Sequence, residues 1–417
     1  MLLRSLTILA VALPLFAQSE DTSSFRDALR QARLPLIVSD GKLGGVGGDV
    51  LIREIEAARF VLIGETHFTR EIPEFATAVC QIMHPQAYAV EAGPLAAHYV
   101  AGELHDPQRI AHTQAKLRLE PDSIAFLNIH EENDLASNCA ASSQGRPFHL
   151  WGLDQEYVGA AGMILHSMEA TNPGPSSLEA IHTALRHEAD SQRKASATGK
   201  VTQLYLVDIP DADLHQLSLA IHKDGKPETV HLLQELTKSH DIYRMSIEGK
   251  PESNHARAVL LKQHFLAEYL PFRQTEPEGR VLLKFGSMHM GRGFDPLHQL
   301  NLGNTVAEIA DAEGVKSLHI AVVGAAGTGA SNGGYRRPMQ VEPFDLMSEK
   351  DEAGWLTPAL EELLPPTSKN EPNLFTMFDL RKLRFRPLHF TPEWEQLIYS
   401  YDILVIIPRV SPAMPLQ

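Results

Sequence analysis

Phe60-Val61-Leu62-Ile63-Gly64-Glu65-Thr66-His67 is the stretch that decides the fold. FVLIG is a short, uninterrupted apolar run, which marks a strand buried on both faces rather than an amphipathic helix. An acid and a histidine follow it within three residues. The pattern recurs along the chain: AYAV (87–90) is followed by Glu91, FHLWG (148–152) by Leu153 and Asp154, and VLLKF (281–285) by Gly286, Ser287, Met288 and His289. HIAVV (319–323) and ILVII (403–407) complete six core strand candidates. Longer stretches with helical spacing separate them, so the expected class is α/β: a mainly parallel open sheet flanked by helices. Between the third and fourth core strands lie residues 155–275, where Leu178, Ile181 and Leu185, then Val259, Leu260 and Leu266, follow helical spacing. This predicts a helical insertion capping the sheet. Gly and Pro cluster at 324–343 and at Pro365 and Pro366, which predicts long loops.

In an open parallel sheet the carboxyl ends of the strands share one edge, and ligands bind in the crevice there. Four strands would deliver Glu65, His67, Glu91, Asp154 and His289 to that edge. Each alone has a plainer role, since an acid after a strand often caps the next helix and the chain holds 20 His. Their coincidence on four strand ends singles them out as catalytic candidates. A His whose second nitrogen is held by a carboxylate acts as a general base, with another His or an Arg stabilising the oxyanion. Glu65, His67, Glu91 and His289 are equally a donor set for a divalent metal. Arg70, Arg257 and Arg292 are candidates for substrate binding or for neutralising the carboxylates.

The 417 residues are 43% apolar and 21% charged, an ordinary globular composition. Fifty-two acidic and 37 basic residues leave a formal charge of −15 without a basic cluster, so the expected partner is a small molecule and not nucleic acid. Met1–Arg4 carry one positive charge, Ser5–Phe16 are apolar, and Ala17 offers a cleavage site. Residues 1–17 therefore read as a signal peptide and 18–417 as a single exported α/β domain, periplasmic or extracellular. No later run of 18 apolar residues predicts a membrane span. No feature fixes the oligomeric state. Cys80 lies on an apolar helix face with Ile72, Phe75, Ala76, Val79 and Met83; a disulfide with Cys139 and a buried free thiol are both open.

Gly329-Ala330-Ser331-Asn332-Gly333 matches G-x-S-x-G, but no strand directly precedes it and Pro338 follows, so a serine nucleophile is not expected. Gly324, Gly327 and Gly329 have the wrong order for a dinucleotide fingerprint. The segment reads as a flexible loop lining the crevice, with Tyr335, Arg336 and Arg337 available to an anionic or polar substrate.

VLIGETHFTREIPEF (61–75), AYAVEAGPLAAHYV (87–100), WGLDQEY (151–157), NHARAVLLKQHF (254–265), KFGSMHMGRG (284–293) and YDILVIIPRVSPAMPL (401–416) together resemble the erythromycin esterase-like proteins. Their wider superfamily also holds ChaN-like haem-binding lipoproteins and Tiki/TraB-type proteins. The resemblance implies a hydrolase of ester or related bonds, with Glu65, His67, Glu91 and His289 as its catalytic residues and Asp154 at the Gly-x-Asp position. Gly64-Glu65-Thr66-His67 is one residue shorter than the esterase G-E-x-x-H motif, as in the ChaN-like branch. That branch implies a haem- or metal-binding alternative, with Met288, His289 and Met290 as axial ligand candidates. A family member without catalysis is a third reading. The cofactor expectation accordingly spans none, a divalent metal and haem.

Overall fold

The computed structural model describes residues 22–348, 354–364 and 374–416. The expected signal segment and the loop at Pro365 and Pro366 lie outside these residues. Nine strands form one sheet: β1 (Arg33–Ser39), β2 (Lys42–Gly44), β3 (Phe60–Glu65), β4 (Ala87–Val90), β5 (His149–Gly152), β6 (Val281–Gly286), β7 (Ser317–Gly324), β10 (Leu374–Asp379) and β11 (Ile403–Ile407). A separate hairpin pairs β8 (Ala326–Ser331) with β9 (Gln340–Asp345). The sheet order is β2-β1-β10-β11-β7-β3-β6-β4-β5, and the run from β11 to β5 is parallel throughout. These six parallel strands are the six core candidates.

Every residue of β3, β6 and β11 is buried, because helices cover both faces of the sheet. Successive side chains of β3 enter opposite cores: Val61 and Ile63 pack with Tyr88, Leu282 and Ile320, whereas Phe60 and Leu62 pack with Phe265, Leu283 and Leu404. Gly64 is obligatory, since a Cβ there would meet the Tyr401 hydroxyl and stand 3.0 Å from Ser287 Cα.

Five helices connect β5 to β6, at Ala161–Ala170, Pro175–Thr198, Asp211–Asp224, Pro227–Ile247 and Glu252–Thr275. They are the expected helical insertion. Proline opens two of them at the position where its missing N–H costs nothing. Asp224 caps the second by accepting from Ser176 N at 2.9 Å and Ser177 N at 2.8 Å. Among the described residues no helix is long and apolar enough to cross a membrane.

Two features differ from expectation, and one open alternative is decided. The loop expected at 324–343 contains the β8–β9 hairpin, whose register is set by pairing rather than by apolar alternation in the Gly-rich β8. An antiparallel wing, β2-β1-β10, extends the sheet beyond β11. Cys80 and Cys139 are joined in a disulfide, which decides the open alternative against a free thiol. Helices Glu71–Met83 and His130–Ser142 pack together and bring the two Cα atoms within 5.2 Å. Closing a loop across a separation of 59 residues stabilises the fold by roughly 4 kcal/mol in the chain-entropy account.

Candidate active site

Strands β5, β4, β6 and β3 are neighbours and run parallel, so their carboxyl ends lie side by side. Glu65 ends β3, Glu91 follows β4, and Asp154 lies two residues beyond β5. His289 sits in the single helical turn Ser287–Met290 that follows β6. The structure thus gathers all five catalytic candidates at one edge.

His67 is held from its Nδ1 side. Nδ1 stands 3.0 Å from Glu65 Oε1, and a carboxylate only accepts, so Nδ1 carries the proton and donates it. Nε2 lies 3.6 Å from Glu91 Oε2, too far for a strong hydrogen bond, which leaves its lone pair available to a reactant. Burial would lower the imidazole pKa, but the Glu65 bond and the charges of Glu91 and Glu65 raise it above 6.5. Phe126 and Phe68 flank the ring, with centroids at 4.6 and 5.9 Å. Gly286 approaches from below; a Cβ there would come within 2.8 Å of His67 Nε2.

Behind Glu65 lies a sealed cluster that the sequence analysis did not single out. Lys284 Nζ, from β6, reaches Glu65 Oε1 at 2.7 Å and Glu132 Oε1 at 2.6 Å. Burial opposes ionisation of Glu65, but the Lys284 charge and the His67 bond hold its pKa below the usual carboxylate value. Glu132 goes the other way: burial outweighs Lys284, the Glu65 charge adds to it, and its carboxyl is pushed up to about 7. The disulfide joins the helix that follows His67 to the helix that carries Glu132.

On the opposite side Arg257, from helix Glu252–Thr275, binds two acids. Its Nε donates to Asp154 Oδ1 at 3.0 Å, and one terminal nitrogen reaches Asp154 Oδ2 at 2.5 Å and Glu91 Oε1 at 2.6 Å. Gly286 N donates to Glu91 Oε2 at 2.6 Å. Burial opposes the Glu91 charge, yet Arg257, His289, His67 and the Gly286 N–H together bring its pKa down to about 2. His289 Nε2 lies 3.5 Å from Glu91 Oε1, so one carboxylate faces both imidazoles. Asn301, also not anticipated, fixes the His289 ring: its Oδ1 stands 3.1 Å from Nδ1 while its Nδ2 donates to Asp295 at 3.0 Å.

Of the three arginines, only Arg257 joins this group. Arg70 donates to Glu131 Oε1 at 2.9 Å and lines a neighbouring cleft. Arg292 is drawn toward the other end of the sheet, where it donates to both Asp402 oxygens at 3.0 and 2.8 Å and to Ser317 O at 3.1 Å. Those partners precede β11 and begin β7, so its guanidinium is held away from the carboxyl edge.

The donor set does not fit a resident metal or haem. Glu65 and Glu91 already pair with Lys284 and Arg257, which supply the positive charge a dication would bring. Glu103, Asp106 and His112, a partly exposed surface trio, are the group among the described residues whose ligand atoms converge within 4.8 Å. Met290 is buried in the core and Met288 opens onto a separate pocket with Arg292 and Trp355, so neither can join His289 as an axial pair for haem iron.

No family model and no curated protein matches the chain. Solved structures do. A mutant of the erythromycin esterase EreC in its open conformation aligns with a TM-score of 0.60 at 12% identity, covering 92% of this chain and 99% of that one. The chain has the erythromycin esterase fold. A protein from Bacillus cereus aligns with a TM-score of 0.57 at 13% identity over 95% of this chain and 100% of its own. A succinoglycan biosynthesis protein does so with a TM-score of 0.54 at 13% identity over 95% and 98%. At these identities the likeness is one of fold, and it agrees with the resemblance carried by the motifs from residue 61 onward.

Proposed function

We propose that the chain is an exported hydrolase of the erythromycin esterase-like superfamily that cleaves an ester or related bond with water activated by His67. One observation carries this reading: the imidazole is oriented through Nδ1 by a buried carboxylate while Nε2 is left to a reactant. In the reaction, His67 Nε2 takes a proton from water as the water oxygen attacks the carbonyl carbon. The tetrahedral intermediate collapses with cleavage of the carbon–oxygen bond, and the proton held on His67 passes to the leaving alkoxide, while His289, oriented by Asn301, completes the site from the opposite side. The products are a carboxylic acid and an alcohol. Arg257 holds Glu91 and Asp154 in place and stabilises charge at the crevice. Export is supported by the N-terminal segment and by the disulfide, which persists in oxidising compartments.

The test is a panel of p-nitrophenyl esters and lactones assayed with and without a chelator. Hydrolysis that the chelator leaves unchanged is expected. Hydrolysis lost to the chelator would give the site to a metal, and no turnover on any panel member would leave the chain as a non-catalytic relative.

A further inference from the structure

A cleft of about 960 Å³ opens beside His67, and Phe68 and Phe126, the two rings that flank the imidazole, belong to its wall. Leu117, Ile129 and Met339 make further parts of that wall apolar. The charged wall residues are Arg70, Arg118, Asp122, Arg336 and Arg337. That is four cations to one anion, in a chain where acids outnumber bases 52 to 37. Arg70 is committed to Glu131. Four cations against one anion give the cleft local positive charge on an acidic protein.

The two loop arginines do not hang free. They sit between β8 and β9, just after Tyr335, which is fully buried and donates its backbone N–H to Gly199 O at 3.0 Å. Arg336 N donates to Asp122 Oδ2 at 3.1 Å. The backbone adds an independent sign of function. Phe68, Asp122, Phe126 and Arg336 have φ of 65, 54, 53 and 53°, the left-handed region that side chains other than glycine rarely adopt. Ten such non-glycine residues occur among the described residues, and four of them line this one cleft. Strained backbone persists where surrounding structure fixes it and clusters at ligand clamps.

We propose that the substrate of the His67 site is an amphipathic molecule with an anionic group, its apolar body lying against Phe68 and Phe126 and its anion at Arg118, Arg336 and Arg337. Turnover of that molecule rests on the hydrolytic reading above; anion-dependent binding does not. The two are therefore measured separately.

Binding of a fluorescent probe, dansylundecanoate, is compared with that of its uncharged alcohol analogue. The proteins are wild type, the triple variant Arg118→Gln/Arg336→Gln/Arg337→Gln, and His67→Gln, each shown to be folded by circular dichroism. The carboxylate should bind about tenfold more tightly than the alcohol at low salt, as three exposed charge contacts allow. The preference should shrink as salt is added and vanish in the triple variant. His67→Gln should keep it. Equal binding of acid and alcohol to wild type, or a preference that survives in the triple variant, overturns the proposal. Loss of ester turnover is read in a separate assay of His67→Gln, so failure of the hydrolytic reading and failure of the anionic-ligand proposal give different results.

Discussion

Two clusters flank His67, and each places one cation between two carboxylates. On the Nδ1 side Lys284 joins Glu65 to Glu132, with its side chain 2% exposed; on the Nε2 side Arg257 joins Glu91 to Asp154, with its side chain 27% exposed. The charge count is the same, and each has one negative charge too many. The outcomes are opposite. In the sealed cluster burial pushes Glu132 up to about 7, so near neutral pH a proton takes up part of the surplus. In the open one burial also acts against Glu91, but Arg257, two imidazoles and a backbone N–H bring it down to about 2, so the surplus stays as charge. Stoichiometry of charge does not decide the protonation state of a buried acid; the number of donors and the access of water do. One cluster supports the imidazole from behind, and the other presents an anion to its reactive side.

The sharpest way to break this comparison is to remove each cation in turn. Lys284→Met leaves Glu132 buried without its cation and Glu65 with His67 alone, and should lower stability by about 3–5 kcal/mol in denaturant unfolding at pH 7. Arg257→Met should cost less stability, about 1–2 kcal/mol, because His67, His289 and the Gly286 N–H still face Glu91. In rate the order reverses: the Arg257 variant should lose about tenfold or more in kcat through a misplaced Glu91. Equal stability losses from the two variants would erase the distinction between a sealed and an open cluster.

Glu156 sharpens it from another direction. It is fully buried two residues beyond Asp154, accepts from Leu95 N at 2.6 Å, has no cation beside it among the described residues, and is pushed up by burial to about 8. A carboxyl whose folded pKa is raised contributes stability that is full below its unfolded value near 4.5 and is lost as pH rises through about 8. Glu156→Gln removes that loss. It should leave stability within about 1 kcal/mol at pH 5 and raise it by several kcal/mol, at most about 5, at pH 9, read from unfolding curves at both pH values.

The smallest effect is a displacement along the pH axis. A general base works unprotonated, so the rate should rise with pH through the His67 pKa, which its acidic neighbours hold above 6.5. Glu65→Gln removes the largest of the contributions that raise it, and the acid limb of kcat/KM should move to lower pH. A limb that stays in place would separate Glu65 from the titrating group.

Much of this was legible in the sequence, for a definite reason. The parallel strands are buried on both faces, so they read as unbroken apolar runs, and whatever follows them falls on one edge. That logic placed Glu65, His67, Glu91, Asp154 and His289 correctly relative to one another. It missed Lys284 because VLLKF reads as a strand whether or not its fourth residue is charged. The signal was present nonetheless: a lysine inside a doubly buried strand requires a buried acid. Glu132 and Asn301 gave no such signal, since each lies on a helix or at its cap and meets the site only through tertiary packing. Arg292 shows the converse. Its closeness to His289 in sequence suggested a shared site, but the chain turns back along the sheet after Met290 and hands it to Asp402. β1 and β10 escaped notice because neither reads as an unbroken apolar run: RLPLIVS opens on an arginine and holds a proline, and LFTMFD is broken by a threonine and ends on an aspartate.

The central claim is that His67 is the base. The measurement is ester hydrolysis and thermal unfolding of His67→Gln on one preparation, beside wild type. General-base catalysis contributes roughly 10²–10⁴-fold, so the rate per folded molecule should fall by at least the lower figure while the melting temperature moves little. A variant that is destabilised but hydrolyses at the wild-type rate would contradict the account.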